Sequence, residues 1–139
     1  APNAAKLAAA KGDGTMNTSP DEEIVKAYKD AGGKGPIYGK VTGCFAPDAG
    51  TAKRVAKERS PNTAMGGDLS TELELPRDFE AVAELVREDD LEGSLVLGSD
   101  PADWREKIDE FEKAGFTHVA LHDVSQNQAD FVEFARQFV

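Results

Sequence analysis

The segment from residue 101 to residue 139 constrains the fold most, because two different periodicities follow each other within it. Trp104, Ile108 and Phe111 repeat at the spacing of one helical face, and Gly115 ends that helix. The next residues, "THVALHDV", have the composition of a strand, and "NQADFVEFARQFV" returns to helical spacing. A helix, a strand and a second helix in this order predict a parallel sheet with right-handed helical connections.

The rest of the chain continues this alternation. Apolar runs predict strands at "TMNT", at "PIYGKVTGCF" and, as a fourth candidate, at "SLVLGS". Helices are predicted over Pro2 to Ala10, from Pro20, within "APDAGTAKRVAKERSP" and over "RDFEAVAELV". Residues 61–76 show no clean period and predict a long loop. The chain is therefore predicted to have an α/β fold with parallel strands.

The start of the helix after "TMNT" has a clear amino-terminal signal. Ser19 is predicted to cap the helix, with Pro20 as its first residue. Three acidic residues then crowd the first turn, where the helix dipole favours negative charge: Asp21, Glu22 and Glu23.

Composition excludes several classes of protein. The formal charge of −10 would repel a phosphate backbone, so nucleic-acid binding is not expected. No stretch approaches the roughly 20 apolar residues of a membrane span. The single cysteine, Cys44, excludes an internal disulfide and a multi-cysteine metal site, and a reducing, cytoplasmic setting is expected. The spread of acidic residues is typical of a solvated surface, and adaptation to high salt is a further hypothesis.

Chemistry in parallel α/β sheets lies at the carboxyl ends of the strands. That rule selects three groups of residues, one after each convincing strand: Asn17, Thr18 and Ser19; Cys44, Phe45 and Ala46; His122, Asp123 and Ser125. The amino end of the first helix, "APN", also offers free backbone N–H groups to an anion, although every helix start has that property.

The two histidines of the last strand do not form a metal site. His118 and His122 share a face but lie roughly 13 Å apart along the strand, too far to bind one ion. His122 is either an acid–base group or a histidine hydrogen-bonded at the strand end. A hydrolase built on His122 and Asp123 lacks a nucleophile-elbow motif. Cys44 has no CxxC partner and is interpreted as a core thiol.

The order of motifs resembles a known group of enzymes. "GDGTMNTSP", "CFAPDAGTAKRVAKE" and "SLVLGSDPADWREKIDEFEKAGFTHVALHDVSQNQADFVEFARQF" resemble the carboxyl-terminal half of the luciferase-like oxidoreductase superfamily. The nearest groups are the relatives of the glucose-6-phosphate dehydrogenase that depends on the deazaflavin coenzyme F420, and a sister group that uses an ordinary flavin. The resemblance covers nearly the whole chain.

The resemblance implies the carboxyl-terminal half of a (β/α)8 TIM barrel. "TMNT", "IYGKVTGCF" and "HVALHDV" resemble its strands six, seven and eight, and Pro2 to Ala10 resembles the helix after strand five. Residues 1–139 would form a single, partial barrel domain, and residues 60–100 the insertion before the last strand. Because the chain starts beyond strand five, we expect a fragment, inactive alone and with exposed sheet edges. The missing half or another chain would complete the barrel, and the intact enzyme is expected to be a homo-oligomer.

The resemblance also implies hydride transfer between coenzyme F420, or alternatively FMN, and a small organic substrate. It places the anionic part of the cofactor at Ala1, Pro2 and Asn3, the substrate pocket at Asn17, Thr18 and Ser19, and the active-site rim at His122 and Asp123. It assigns no catalytic residue and no metal to this chain, because the residues that handle protons lie mostly in the first half of the family fold.

One departure from the family pattern bears on the substrate. Where sugar-phosphate dehydrogenases of the family have basic residues, this chain has Asp21, Ser70 and Ser94. An acidic or neutral set holds a phosphate dianion poorly, so glucose 6-phosphate is not the expected substrate. The alternative to an oxidoreductase is a non-catalytic half-barrel or binding module that takes no cofactor.

Overall fold

The computed structural model describes residues 2–66 and 69–139, except for the side chain of Ser70. The α-helices are α1 (Pro2–Lys11), α2 (Glu22–Asp30), α3 (Ala49–Arg59), α4 (Leu69–Glu72), α5 (Pro76–Leu85), α6 (Pro101–Lys113) and α7 (Gln128–Ala135). The strands are β1 (Thr15–Asn17), β2 (Ile37–Cys44), β3 (Val96–Leu97) and β4 (His118–Asp123). Short 3₁₀ helices occupy Pro61–Ala64, Glu88–Leu91 and Arg136–Phe138.

Strand β2 pairs with each of the other described strands. β1 lies parallel to its first half, with Met16 opposite Tyr38, and β3 lies parallel to its end, with Cys44 opposite Leu97. β4 also pairs with β2. The predicted α/β fold with a parallel sheet is confirmed, and the fourth candidate strand does join the sheet, although only its two central residues are extended.

Two predictions about local structure are wrong. The α2 helix begins at Glu22, and its cap is Asp21, whose carboxylate accepts hydrogen bonds from the N–H groups of Glu23 (2.8 Å) and Ile24 (3.4 Å). Asp21 displaces Ser19 from this role because its carboxylate is a stronger acceptor than a hydroxyl. The stretch from residue 61 to residue 76 is also not one long loop, because it contains a 3₁₀ turn and the short helix α4.

The chain divides into two compact units. The first unit combines the segment that ends at Val41 with Pro101–His122. Its core includes Tyr28 and Trp104, of which 1% and 0% are exposed. The ring of Phe111 in α6 packs directly against the backbone of β2, since a Cβ atom built on Gly39 would approach the Phe111 ring to 2.4 Å. The predicted apolar faces of α2 and α6 are buried as expected.

The second unit combines Thr42–Asp100 with Asp123–Val139. The small residues Ala52 and Ala56 form the buried stripe of α3 and pack in one cluster with Cys44, Leu91 and other apolar residues. Lys53, at the edge of this contact, donates to Asp89 (3.0 Å) and to Glu92, which follow α5 in the chain. The alanine face of α3 therefore packs in the core, and other residues of the helix are available to line a second surface.

Candidate functional site

A cavity of about 830 Å³ opens in the second unit, where strands end. Residues 45–47 after β2, Ser99 after β3 and residues 125–127 after β4 all border it. Phe45, Ala46 and Ser125, which were selected from the sequence by the strand-end rule, therefore meet at one cavity. Its volume falls in the range of about 300–1,000 Å³ that is usual for small-molecule sites.

The wall that α3 contributes lies beside its buried alanine stripe. It carries Thr51, Arg54, Val55, Glu58 and Arg59. The helix is fixed at its start by Asp48, whose carboxylate accepts from the N–H and the hydroxyl of Thr51 at 2.8 and 2.9 Å. These hydrogen bonds, led by the one from the backbone, hold the pKa of Asp48 below its ordinary value. The alternation of small apolar and charged positions along this helix is visible in the sequence, but the existence of a cavity beside it is not.

The aromatic wall comes from β2 and from the closing helix. The rings of Phe45 and Phe134 have centroids 4.9 Å apart, and Phe45 also lies 6.0 Å from Phe131. Phe134 and Phe138 make a T-shaped contact at 5.5 Å. Phe131, Phe134 and Phe138 thus form the cluster that their spacing predicted, and Phe134 adds one ring to the cavity lining.

Asp123 connects loops that border the cavity. It is 7% exposed, and its carboxylate accepts from the N–H of Phe45 (2.8 Å) and from the hydroxyl of Ser125 (2.5 Å). The N–H of Ser125 and the side-chain amide of Gln128 donate to it at 3.1 Å each. A buried carboxylate with this many donors is structurally satisfied. It joins the loop after β2 to the loop after β4.

Cys44 is a core thiol, as its sequence context predicted. It is fully buried in the apolar cluster of the second unit. Burial, assisted by the negative charge of Asp123, raises the pKa of the thiol from 9.0 to about 11 against the opposing charge of Arg59. A protonated, inaccessible thiol is a poor nucleophile and a poor metal ligand. Within the described part of the chain, no cluster of His, Cys, Asp and Glu could hold a metal ion.

The residues that the resemblance assigned to cofactor and substrate lie in the first unit. Ala1 falls outside the described residues; Pro2 and Asn3 form the exposed first turn of α1. Pro2 borders a groove of about 630 Å³ between α1 and α2. Asn17 ends β1 and donates its side-chain amide to the carbonyl of Ser19 at 2.8 Å, while Thr18 and Ser19 are exposed. The groove at Pro2 is not lined by residues 17–19.

His118 and His122 both lie on the exposed side of β4. His118 packs against the ring of Tyr38 at 4.9 Å and shares a hydrogen bond with the Thr117 hydroxyl at 2.9 Å. His122 and Asp123 are consecutive on the strand, so their side chains leave it on opposite sides.

The three residues that the resemblance matched to basic positions of sugar-phosphate dehydrogenases differ in their surroundings. Asp21 caps α2, Ser94 is exposed in a turn after the second 3₁₀ helix, and the side chain of Ser70 lies outside the described residues.

Comparisons with known proteins bear on the fold. No protein-family model matches the chain, and no curated protein does. Over 99% of its length, the chain matches a solved F420-dependent secondary alcohol dehydrogenase in complex with an F420–acetone adduct, with a TM-score of 0.71 and 18% identity. The chain shares its fold with part of that dehydrogenase.

The matched region is less than half of the larger protein. It amounts to 45% of the dehydrogenase chain. A second solved structure, apo-MsnO8, matches 98% of this chain with 47% of its own, at a TM-score of 0.59 and 20% identity. At these identities the similarity concerns the fold. No helix among the described residues is long and apolar enough to cross a bilayer.

Proposed function

We propose that the chain is part of a luciferase-like oxidoreductase that transfers a hydride between coenzyme F420, or FMN, and a small organic substrate other than glucose 6-phosphate. The observation that carries this proposal is the fold similarity to the F420-dependent alcohol dehydrogenase over nearly the whole chain. In this proposal the chain supplies strands six to eight of a (β/α)8 barrel, and residues 60–100 are the insertion before the last strand.

An uncovered face of the sheet in the first unit supports completion of a barrel by further polypeptide. Met16 and Tyr38 are neighbours on β1 and β2, and they are 58% and 41% exposed. His118 continues the same exposed surface through its contact with Tyr38. Parallel sheets are normally covered on both faces, so this one is suited to receive an additional element. Further residues of the same protein or another chain would provide it, and this chain alone would be inactive.

The groove beside α1 fits the anionic part of F420. The first turn of α1 presents the backbone N–H of Asn3, and Lys6 lies in the groove lining. Lys26 also lines the groove but is already paired with Asp30, which leaves Lys6 as the cation without an ion pair among the described lining residues. Asn3 and Lys6 would hold the anion, while the bound cofactor would supply the hydride chemistry.

The remaining assignments follow from the resemblance. Asn17, Thr18 and Ser19 are proposed to border the substrate, and His122 and Asp123 to lie at the rim. Asp21 supports the exclusion of glucose 6-phosphate, because a carboxylate engaged with the amino end of α2 offers no positive charge to a phosphate dianion. Turnover of glucose 6-phosphate by the intact enzyme would contradict this exclusion.

Cofactor binding tests the proposal directly. The purified chain would be titrated with F420 and, separately, with FMN, and bound cofactor would be followed by fluorescence. Asn3→Asp should weaken binding about fivefold, because a carboxylate at the helix amino end competes with the anion. The matched control Asn62→Asp makes the same charge change at an exposed residue of the other unit and should leave binding unchanged.

The result that contradicts the proposal is equally concrete. If neither cofactor binds at millimolar concentration, and sedimentation shows a stable monomer, the chain is better described as a binding module without cofactor. If Asn3→Asp and Asn62→Asp weaken cofactor binding equally, the protein still binds a flavin-type cofactor. The anion site would then not lie at the amino end of α1.

A further inference from the structure

The cavity of the second unit presents one arginine that is held in place by the fold. The Nε–H of Arg59 donates to the main-chain carbonyl of Val124 at 2.8 Å, directly after β4. Its terminal amino groups make no other hydrogen bond or ion pair within residues 2–66 and 69–139. An arginine anchored through Nε is already oriented, so less conformational entropy is lost when its remaining donors bind a ligand.

A second guanidinium lines the same wall without a partner. Arg54 makes no hydrogen bond and no ion pair with any described residue, although it acts at longer range on the Asp48 carboxylate. The cavity therefore contains two guanidinium groups whose terminal amino groups make no hydrogen bond or ion pair with the described residues. Guanidinium groups favour planar, doubly hydrogen-bonded anions, of which a carboxylate is the simplest.

The acidic lining residues are mostly engaged elsewhere. Glu133 forms an ion pair with Arg136 at 2.9 Å, and Asp130 accepts a hydrogen bond from the Asn127 side chain. Glu58 is the one lining carboxylate without a partner in the described part of the chain. It does not pair with Arg54, although the two are four residues apart on α3. The Asn127 amide is neutral and leaves the charge of Asp130 in place, so the two arginines are opposed by the carboxylates of Glu58 and Asp130.

The rest of the lining provides an apolar surface. Phe45 and Phe134 contact each other at 4.9 Å between centroids, and Pro47 and Val55 lie in the same cavity. Aromatic walls bind the flat or aliphatic body of a ligand by burying its surface from water. The combination selects molecules that have one anionic end and one apolar end.

We infer that this cavity binds a small organic carboxylate with an aromatic or aliphatic body. The carboxylate contacts Arg59 and Arg54, and the apolar body packs against Phe45 and Phe134. The inference does not rest on the proposed oxidoreductase function, because every residue that it uses lies in the second unit, whereas the cofactor groove lies in the first.

Isothermal titration calorimetry with two matched probes tests the inference. Phenylacetate carries the charge, and phenylacetamide has the same shape without it. We expect phenylacetate to bind at least about tenfold more tightly, which corresponds to about 1.4 kcal/mol. Phenethylamine, which carries the opposite charge on a similar body, should bind more weakly than either.

Four variants separate the charge from the fold. Arg59→Lys should weaken phenylacetate binding about tenfold, because lysine cannot reproduce the anchored fork. Arg54→Gln should also weaken it, and this variant removes no hydrogen bond between described residues. Glu58→Gln should tighten it by removing repulsion. Arg77→Gln, the control, changes an exposed arginine of α5 outside the cavity lining and should have no effect.

Several outcomes would overturn the inference. These are equal affinity for the acid and the amide, preference for the amine, no binding of phenylacetate at 10 mM or an equal loss of affinity in Arg54→Gln and Arg77→Gln. Melting curves identify any variant that fails to fold. If Arg59→Lys does not fold, Arg54→Gln and Glu58→Gln decide the result, because the first should weaken phenylacetate binding and the second should tighten it. Failure of both F420 and FMN to bind, together with a stable monomer, would contradict the proposed function and leave this inference intact.

Discussion

The Asp123 carboxylate holds together the two loops that border the cavity. Its hydrogen bonds come from a backbone N–H after β2, and from the backbone and side chains of residues after β4. Hydrogen bonds to a charged acceptor are worth about 1.5–3 kcal/mol each when buried, and leaving the donors unpaired is costly. At the residue scale, the role that the structure supports for Asp123 is to join the two loops that border the cavity.

Asp123→Asn tests that role. The substituted amide keeps one acceptor oxygen, but its NH2 group faces either the N–H groups of Phe45 and Ser125 or the side chains of Ser125 and Gln128. The free energy of unfolding should therefore fall by about 2 kcal/mol. Urea denaturation measures the change. Asp13→Asn, the same substitution at an exposed residue, should change it by less than about 0.5 kcal/mol. Similar small effects in both variants would show that the carboxylate does not hold the loops.

The buried thiol of Cys44 should make the protein less stable as the pH rises into the alkaline range. The thiol titrates near 9.0 in an unfolded chain and at about 11 in the folded protein, so folding favours its protonated form. That contribution is fully present below pH 9 and is lost as the pH rises toward 11. The free energy of unfolding should fall by up to about 3 kcal/mol over this window.

Comparison with Cys44→Ala isolates the thiol from other groups that titrate in the same range. The difference in unfolding free energy between the wild type and this variant should change between pH 9 and pH 11 and stay constant from pH 6 to pH 8. A constant difference over the whole range would contradict the raised pKa. Alkylation by iodoacetamide at pH 8 should accordingly be slow until the protein is unfolded.

At the scale of elements, helix α2 depends on a charged cap. Asp21 satisfies two N–H groups of the first turn, while Ser19 contributes its backbone carbonyl to the N–H of Asp21. The side chain of Ser19 is exposed at the surface. The two residues therefore have clearly different expected contributions to the stability of the first unit.

Paired alanine substitutions distinguish the two caps. Asp21→Ala should lower the free energy of unfolding by about 1 kcal/mol, because two helix N–H groups lose their acceptor. Ser19→Ala should change it by less than about 0.3 kcal/mol. Chemical denaturation gives both values. The reverse order of effects would restore Ser19 as the cap.

Local patterns predicted the elements better than the site. Helix α6 and strand β4 were found because their apolar spacing is regular and Gly115 separates them. The short helix α4 escaped detection because one turn has too few residues to show a period. The strand-end rule found part of the cavity at Phe45, Ala46 and Ser125. Its arginines were missed, because only tertiary packing shows which face of α3 the core leaves uncovered.

At the scale of the whole molecule, net charge is the dominant electrostatic property. Acidic residues outnumber basic ones by 26 to 16. Ion pairs such as Lys26–Asp30 and Arg136–Glu133 lie at exposed positions, where each contributes little to stability. Salt screens both the repulsion among carboxylates and the attraction within ion pairs. In this protein the repulsion should be the larger of the two.

Added salt should stabilise the protein at neutral pH. Raising KCl from about 0.05 M to about 1 M shortens the Debye length from over 10 Å to about 3 Å, and we expect the melting temperature to rise by about 5 °C. Differential scanning calorimetry measures the shift. Near pH 4.6, where the net charge vanishes, the same salt step should have little effect. A melting temperature that falls with KCl at neutral pH would contradict adaptation to high salt.

The central position of β2 also means that the strand is synthesised well before one of its partners. The residue before the last strand, Thr117, accepts a hydrogen bond from the N–H of Ile37, which lies 80 positions earlier in the chain. A ribosome that adds roughly 5–20 residues per second needs roughly 4–16 s to make the intervening segment. During that interval one edge of β2 emerges without its partner. Nascent chains should therefore recruit chaperones most strongly before Thr117 leaves the exit tunnel, and ribosome profiling of chaperone-bound chains would reveal that window.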